Sequence, residues 1–368
     1  MKNLTGLFLI VLSFGFFSCN QESGFIISGD VTGFPDNTKI YLQNSGTQEI
    51  IDSTIINDNK FLFKGLLENP PEIVFIEGKL NNQLIYTSLI MGNEKIKIKA
   101  DIKDFPYNVK VKGSKIQDDQ NILTSKTKSL YMERDSLVKL FLKLSPEVQE
   151  KEGKEIWARI RIIDHTTDSI RIDFIKSDIN TYWGVICLGN LKSALPKDTV
   201  QALYKKLTPE LKATKYDKVI EVYLTEKIST IGDKYHDFKA INRNNDTIKF
   251  SDLIGKYILL DFTTAYCGPC IQSVEELKKI NKSFTDSLLI VSFSGDVNKN
   301  VWLKSLERDS VSWISLWDGH GNYSETFIKY GIQGVPTFFL IDPKGIIIDK
   351  WVGYWKGALE NKLTKIKI

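Results

Sequence analysis

The spacing of apolar positions divides the chain into three stretches. From Phe25 to about Gly113 apolar and polar residues alternate, the period of strands with one buried face. The pattern predicts strands at residues 25–31, 39–42, 60–66, 72–77, 84–90, 95–100 and 107–111. Between them, Pro35-Asp36-Asn37, Asn57-Asp58-Asn59, Pro70-Pro71 and Gly92-Asn93 carry residues that favour turns over extended backbone. The expected domain, residues 24–114, is all-β and sandwich-like, built of antiparallel strands. Lys95, Lys97, Lys99, Lys110 and Lys112 alternate along its last strands, as on one solvated face or a protected edge.

From about Ile116 the apolar spacing turns helical. Leu144-Ser145-Pro146-Glu147 and Leu207-Thr208-Pro209-Glu210 each place a hydroxyl at an N-cap, proline at the first helical position and an acid in the first turn. Residues 115–229 read as an α-helical middle region of four or five helices, with Tyr, Trp and Leu serving as core or docking surface.

After Gly232 strands and helices alternate. A hairpin spans 238–250 with its turn at 242–245, a continuous apolar strand at 257–262 is interrupted only by Asp261, and helical spacing follows over 271–284. A buried strand at 288–293, helices near 298–308 and 323–330, and strands at 338–341 and 346–351 complete an α/β pattern.

Composition narrows the possibilities. The 368 residues, 42% hydrophobic and 26% charged, exceed one ordinary core and imply two or three domains. Basic and acidic side chains, 49 and 45, are interspersed along the whole length, so no nucleic-acid partner is expected. Met1-Lys2-Asn3 and the largely apolar run from Leu4 to Phe17, short for a span of about 20 residues, read as an export signal over residues 1–18. Phe16-Phe17-Ser18-Cys19, followed by the polar Asn20-Gln21-Glu22-Ser23, resembles a bacterial lipoprotein signal cut just before its cysteine. Phe16 and Phe17 depart from that signal, which usually has Leu and a small residue there. The resemblance implies lipid on Cys19 and a body held at the cell envelope, facing the periplasm and anchored to membrane; an accidental cysteine or an uncleaved anchor is the alternative.

Four cysteines are too few for a disulfide scaffold. Cys187 lies in the apolar Tyr182-Trp183-Gly184-Val185-Ile186-Cys187-Leu188 and reads as a small hydrophobe, with a third redox thiol as the alternative. Cys267-Gly268-Pro269-Cys270 stands between a buried strand and a helix start. There the first cysteine meets unpaired backbone N–H groups and the positive end of the helix dipole, which favour its thiolate. The second, one turn on, is placed to attack a mixed disulfide and release the product. Cys267 is therefore the expected attacking thiol and Cys270 the resolving one, and Pro269 lets the helix begin without losing a needed donor.

At this point the chain resembles the thioredoxin superfamily, and within it the AhpC/TSA-related envelope reductases of the TlpA and ResA type. The resemblance covers residues 230–368. It rests on Gly232, Asp233, Asp237 and Phe238 at the opening, the Leu-Leu-Asp-Phe strand ending at Phe262, the dithiol, Val335-Pro336-Thr337, and Leu340-Ile341-Asp342 before Gly345. Residues 25–113 also resemble the β domain of unknown function that precedes such modules in bacterial lipoproteins. The family implies a thioredoxin-like fold, thiol-disulfide exchange without a cofactor, and a cis-proline at Pro336 against the dithiol, with the backbone of Val335 holding substrate as an added strand. Tyr266, Gly268 and Pro269 belong to the same substrate-facing surface. Asp261 matches the family's buried acid, whose desolvation should raise its pKa so that it takes the proton of Cys270; a satisfied strand residue is the alternative. Partners implied are disulfide-bearing envelope proteins and a membrane thiol electron donor.

Departures qualify the match. Tyr266 replaces the usual Trp, Thr263-Thr264 the usual Trp-Ala, and Glu275 a helix proline, while Ser273 stands where cytochrome c maturation reductases often carry Glu. These changes weaken a role in cytochrome c-type biogenesis. The Gly-Pro pair between the cysteines is that of reducing members. Three other readings compete. A zinc knuckle lacks a second ligand pair, since His165, His236 and His320 show no ligand spacing. A thiol peroxidase is suggested by Thr264, three residues before Cys267, but has Leu260 in place of its proline. A lipid-anchored binding or sensor protein would use residues 25–229 and keep a non-catalytic dithiol.

Overall fold

The computed structural model describes residues 24–366 apart from residue 285. Alternation in the first stretch produces β1 (Phe25–Thr32), β2 (Thr38–Asn44), β3 (Ile50–Ile56), β4 (Lys60–Gly65), β5 (Glu72–Leu80), β6 (Gln83–Met91), β7 (Lys95–Asp101) and β8 (Lys110–Lys112). They form two four-stranded sheets, ordered β4-β1-β7-β8 and β3-β2-β5-β6. Inward residues of both, among them Ile27, Phe63, Leu42, Val74, Leu89 and Ile96, make one apolar core. The sandwich is as expected; a purely antiparallel domain is not, because β1 and β7 pair in parallel. The chain leaves the first sheet twice, for β2–β3 and for β5–β6, and returns with β7 running in the direction of β1. β7 is thus an interior strand, so its lysines mark a solvated face and not an edge. Strand pairing near 107–111 is confined to β8.

The middle region holds six α-helices among the described residues, more than the four or five expected: α1 (Lys115–Lys143), α2 (Pro146–Ser177), α3 (Tyr182–Leu191), α4 (Lys197–Lys205), α5 (Pro209–Lys212) and α6 (Lys215–Thr225). The extra one is the single turn α5, whose Thr208 cap accepts the Leu211 N–H. α1 and α2 form a long antiparallel hairpin, joined across its faces by Arg159 with Glu133 and Arg134 with Asp164. The shorter helices bury Val185, Leu188, Val200, Leu203 and Ile220 with Ile175 of α2.

The last stretch contains β9 (Lys239–Ile241), β10 (Thr247–Lys249), β11 (Tyr257–Thr263), α7 (Gly268–Ser283), β12 (Leu288–Ser294), α8 (Lys299–Arg308), β13 (Ile314–Trp317), α9 (Glu325–Lys329), β14 (Thr337–Ile341), β15 (Ile347–Val352) and α10 (Ala358–Ile366). Its seven strands form one sheet, ordered β10-β9-β13-β12-β11-β14-β15. β11 is central, parallel to β12 and antiparallel to β14. It reads as a continuous apolar run because both sheet faces are covered. Leu259, Leu277, Trp302 and Leu363 pack on one face, and Leu260, Phe262, Phe293 and Tyr330 on the other. The helix expected at 323–330 is shorter, a 3₁₀ turn at Gly321–Tyr323 followed by α9, since Ser324 caps a new helix at that point.

The three parts are docked on one another. Ser229 donates its N–H to the Lys329 carbonyl at 2.8 Å, and Lys218 pairs with Glu325 at 3.1 Å. Tyr216 of α6 donates its hydroxyl to the Pro71 carbonyl of the β domain at 3.3 Å, while its ring meets Tyr323 edge-on at 5.7 Å.

Candidate active site

Cys267 is the N-cap of α7 and is disulfide-bonded to Cys270. Its Sγ accepts the Cys270 N–H at 3.2 Å, so one of the orphan donors of the helix start is spent on sulfur. That sulfur also lies 3.4 Å from the Val335 carbonyl oxygen, and the Val335–Pro336 bond is cis. A disulfide sulfur has no proton to donate, so this is a contact; in the dithiol form the Cys267 S–H has an acceptor there. Cys267 is partly exposed beside Tyr266, which is 68% exposed, and the exposed Gly268 and Pro269. Cys270 is 3% exposed. A side chain at 268, the first residue of α7, or at 334, just before Val335, would meet nothing within 4 Å. Space inside the chain therefore does not demand either glycine.

Asp261 lies behind the dithiol on the central strand, 3% exposed. The hydroxyl of Ser292 donates to its Oδ2 at 3.0 Å, and the Trp313 indole donates to that hydroxyl at 2.8 Å. Oδ1 has no hydrogen-bond partner. Desolvation by burial pushes the carboxyl up from 3.8 to about 7, against the smaller opposing pull of the Ser292 bond. Asp261 and Cys270 both line a cavity of about 30 Å³, which also receives Asp296, Ser292 and Ser294. Apolar side chains, among them Val274, Leu277 and Trp302, line it as well, and a space of that size holds roughly one or two waters. The cavity thus adjoins both the buried carboxyl and the inner cysteine.

Asp296 belongs to the site although its sequence context did not single it out. Its carboxylate accepts the Ala265 N–H at 3.0 and 3.2 Å and the Ser294 hydroxyl at 2.7 Å, tying down the turn that carries Tyr266 and Cys267. Burial raises its pKa against those bonds and against the charge of Arg308. Arg308 donates to the Ala265 carbonyl at 2.8 Å, so both polar groups of that residue are held by side chains. The detectable signal was Ser292-Phe293-Ser294-Gly295-Asp296, polar residues at period two in an otherwise apolar strand. Ser273 is buried and donates to the Cys270 carbonyl at 2.7 Å. Cys187 lies apart from the dithiol in the helical core, its thiol pushed up to about 11 chiefly by burial.

Two clefts meet the dithiol turn. One, of about 880 Å³, is walled by Arg171, Lys192 and Tyr216 of the helical region on one side and Thr264, Tyr323 and Val335 on the other. The second, of about 280 Å³, lies between the β2–β3 turn at Ser45–Gln48 and Thr264, Tyr266, Asp296 and Tyr323. Thr264, Asn322 and Tyr323 line both, so the clefts adjoin at the residues before Cys267. Among the described residues no group of three or more His, Cys, Asp or Glu side chains is placed to hold a metal ion. Cys19 lies outside the described residues.

The chain is similar to known proteins in two of its parts. Residues 231–350 match the AhpC/TSA family, and residues 25–120 match a domain of unknown function, DUF4369. The chain is 26% identical over 136 residues to the thioredoxin-like protein YneN of Bacillus subtilis, covering 36% of this chain and 78% of YneN. It is 24% identical over 146 residues to the thiol-disulfide oxidoreductase ResA of Bacillus thuringiensis, covering 39% of this chain and 83% of ResA. The solved thioredoxin domain of a thiol-disulfide oxidoreductase from Bacteroides vulgatus is similar at 27% identity, covering 38% of this chain and 98% of that one, with a TM-score of 0.35.

Proposed function

We propose that this chain, whose C-terminal part is a thioredoxin-like domain of the AhpC/TSA family, is a cell-envelope thiol-disulfide oxidoreductase that reduces disulfides of other proteins through Cys267 and Cys270. The observation that carries the reading is the division of labour within one helical turn. Cys267 is accessible and its sulfur faces a helix N-terminus, whereas Cys270 is buried beside a carboxyl held near neutrality.

In the reducing direction the Cys267 thiolate attacks one sulfur of a substrate disulfide. A mixed disulfide forms and the departing substrate sulfur leaves as a thiolate that takes a proton from solvent. Asp261, ionised, then takes the Cys270 proton across the shared cavity, and Cys270 attacks Cys267 Sγ. This breaks the mixed disulfide and leaves the Cys267–Cys270 disulfide, while the second substrate sulfur departs as a thiolate that takes a proton from solvent. Two electrons pass to the substrate, so a dithiol donor, here a membrane thiol carrier, must restore the pair. The backbone at Val335 would align an extended substrate segment, and the bare Gly268 and Gly334 leave it room to approach. The reading of residues 1–18 as an export signal and of Cys19 as a lipidation site supports the envelope location.

The test is equilibration of the protein across dithiothreitol buffers, with trapping by alkylation and mass counting of Cys267 and Cys270. The expected result is a reversible two-electron transition near the roughly −270 mV of thioredoxin. A potential above about −180 mV would place the protein on the oxidising or isomerising side. Cysteines that never pair would remove the catalytic reading altogether.

A further inference from the structure

The β4-β1-β7-β8 sheet has one face in the sandwich core and one in solvent. On the solvent face stand Lys60 and Lys64 of β4, Lys95, Lys97 and Lys99 of β7, and Lys110 and Lys112 of β8, all exposed. In the β7–β8 register Lys97 is opposite Lys112 and Lys99 opposite Lys110. Like charges directly across a sheet are destabilising, so the arrangement is unfavourable for the isolated domain. None of these lysines has a carboxylate within ion-pair distance among the described residues. The carboxylates amid them are Asp30 of β1 and Asp52 of β3, which accepts the Lys64 backbone N–H at 3.1 Å; Asp101, at the far end, accepts the Thr32 hydroxyl at 2.8 Å. The exposed Leu62 and half-buried Ile26 interrupt the lysines with apolar surface, and a shallow depression of about 590 Å³ lies over β1, β7 and β8.

We infer that this lysine face docks on an anionic phospholipid surface and lays the β domain flat against the membrane. Four strands at about 4.8 Å spacing give a patch roughly 15 Å wide. Basic side chains spread over such a patch are drawn to acidic headgroups while their aliphatic stems, with Leu62 and Ile26, rest on the interface. The choice of a membrane over an acidic protein rests on the lipid proposed at Cys19. β1 begins six residues after Cys19, a tether of at most about 20 Å, so a lipid there would hold this sheet close to the bilayer. The inference does not depend on the chemistry of Cys267 and Cys270.

Residues 24–368, which include every described element, are floated with vesicles of phosphatidylcholine alone or with one-third phosphatidylglycerol. Expected is at least about tenfold greater partition onto the anionic vesicles in low salt, lost near 1 M salt, where the screening length is about 3 Å. Combined Lys97→Gln, Lys99→Gln, Lys110→Gln and Lys112→Gln should abolish that preference. A control with the same loss of charge on α1 and α2, Lys126→Gln, Lys139→Gln, Lys151→Gln and Lys154→Gln, should retain it. Circular dichroism of the sheet variant must show an intact fold, and its melting temperature should not fall, since opposed charges have been removed. Equal partition onto both vesicles, or equal loss in both variants, overturns the inference. Binding to soluble polyglutamate without binding to vesicles also overturns it, by making the partner an acidic polypeptide.

Discussion

Asp261 and Ser292 are register partners on the central strands β11 and β12, and the serine hydroxyl donates to Asp261 Oδ2 at 3.0 Å. This bond stabilises the carboxylate, yet desolvation exceeds it and the carboxyl stays near pH 7. The consequence is a buried acid that changes protonation in the range where the protein is expected to work.

Asp261→Asn tests that balance through stability. An aspartate whose folded pKa lies above its unfolded value favours folding fully only below about pH 4, where both states are protonated. Its contribution falls as pH rises toward 7 and then levels off. The variant, lacking the ionisation, should match the parent near pH 4 and exceed it above pH 7 by up to about 4 kcal/mol. Denaturant unfolding of the oxidised protein at the two pH values measures this, and no pH dependence in the difference would remove the desolvated carboxyl.

The same substitution should slow resolution without slowing attack. Formation of the mixed disulfide between Cys267 and a substrate is expected to be nearly unchanged, while its release by Cys270 falls about 10²-fold or more, the usual span for losing a general base. Stopped-flow quenching with mass detection separates the steps. Loss of the first step instead would make Asp261 a structural residue of the central strand.

Cys270→Ser should accumulate a stable mixed disulfide with protein substrates, and Cys267→Ser none. Either variant should retain the fold, because a buried Cys-to-Ser change is a small perturbation in size and Cys267 is partly exposed. Peroxide consumption by the parent protein should remain far below disulfide reduction; the reverse ranking would move the assignment to a peroxidase.

Cys187 should resist alkylation in the folded, reduced protein. Burial and a thiol pKa near 11 leave little thiolate and little access at neutral pH. Iodoacetamide followed by peptide mass mapping should label Cys267 first and Cys187 only after denaturation. Early labelling of Cys187 would revive it as a third redox thiol.

Asp296→Ala should loosen the turn that presents Cys267. The change strands the Ala265 N–H and the Ser294 hydroxyl, each costing about 1–3 kcal/mol if left unpaired. A lower melting temperature should therefore accompany a shift in the dithiol potential, with Asp296→Asn recovering part of both. A stability loss with no change in potential would confine Asp296 to a structural role.

Much of the architecture was legible because burial imposed simple periods. The alternation of β1, β5 and β7 and the unbroken apolar run of β11 each announced a strand with the correct number of covered faces. The failures have physical causes. β3, Ile50–Ile56, buries only its last residue as an edge strand, so nothing forced alternation on Ile-Ile-Asp-Ser-Thr-Ile-Ile. β13 hides its role behind Ser315, a buried serine that accepts the Trp302 indole at 3.0 Å. α10 begins only where Glu276 accepts the N–H groups of Gly357 and Glu360, a cap supplied from far away in sequence. At the site, the dithiol spacing is local and was visible. The hold of Asp296 on Ala265 joins separate elements and is not.

Tyr216 touches the β domain through its hydroxyl and the redox domain through its ring, from a helix that belongs to neither. The C-terminal module is therefore no interchangeable cartridge. A redox domain spliced in at residue 230 without a ring at the place of Tyr323 would give up the contact with Tyr216, and Tyr323 would be missing from the wall of the larger cleft beside the dithiol. What such a chimera could still reduce would show how far selectivity belongs to the assembled molecule and how far to the dithiol alone.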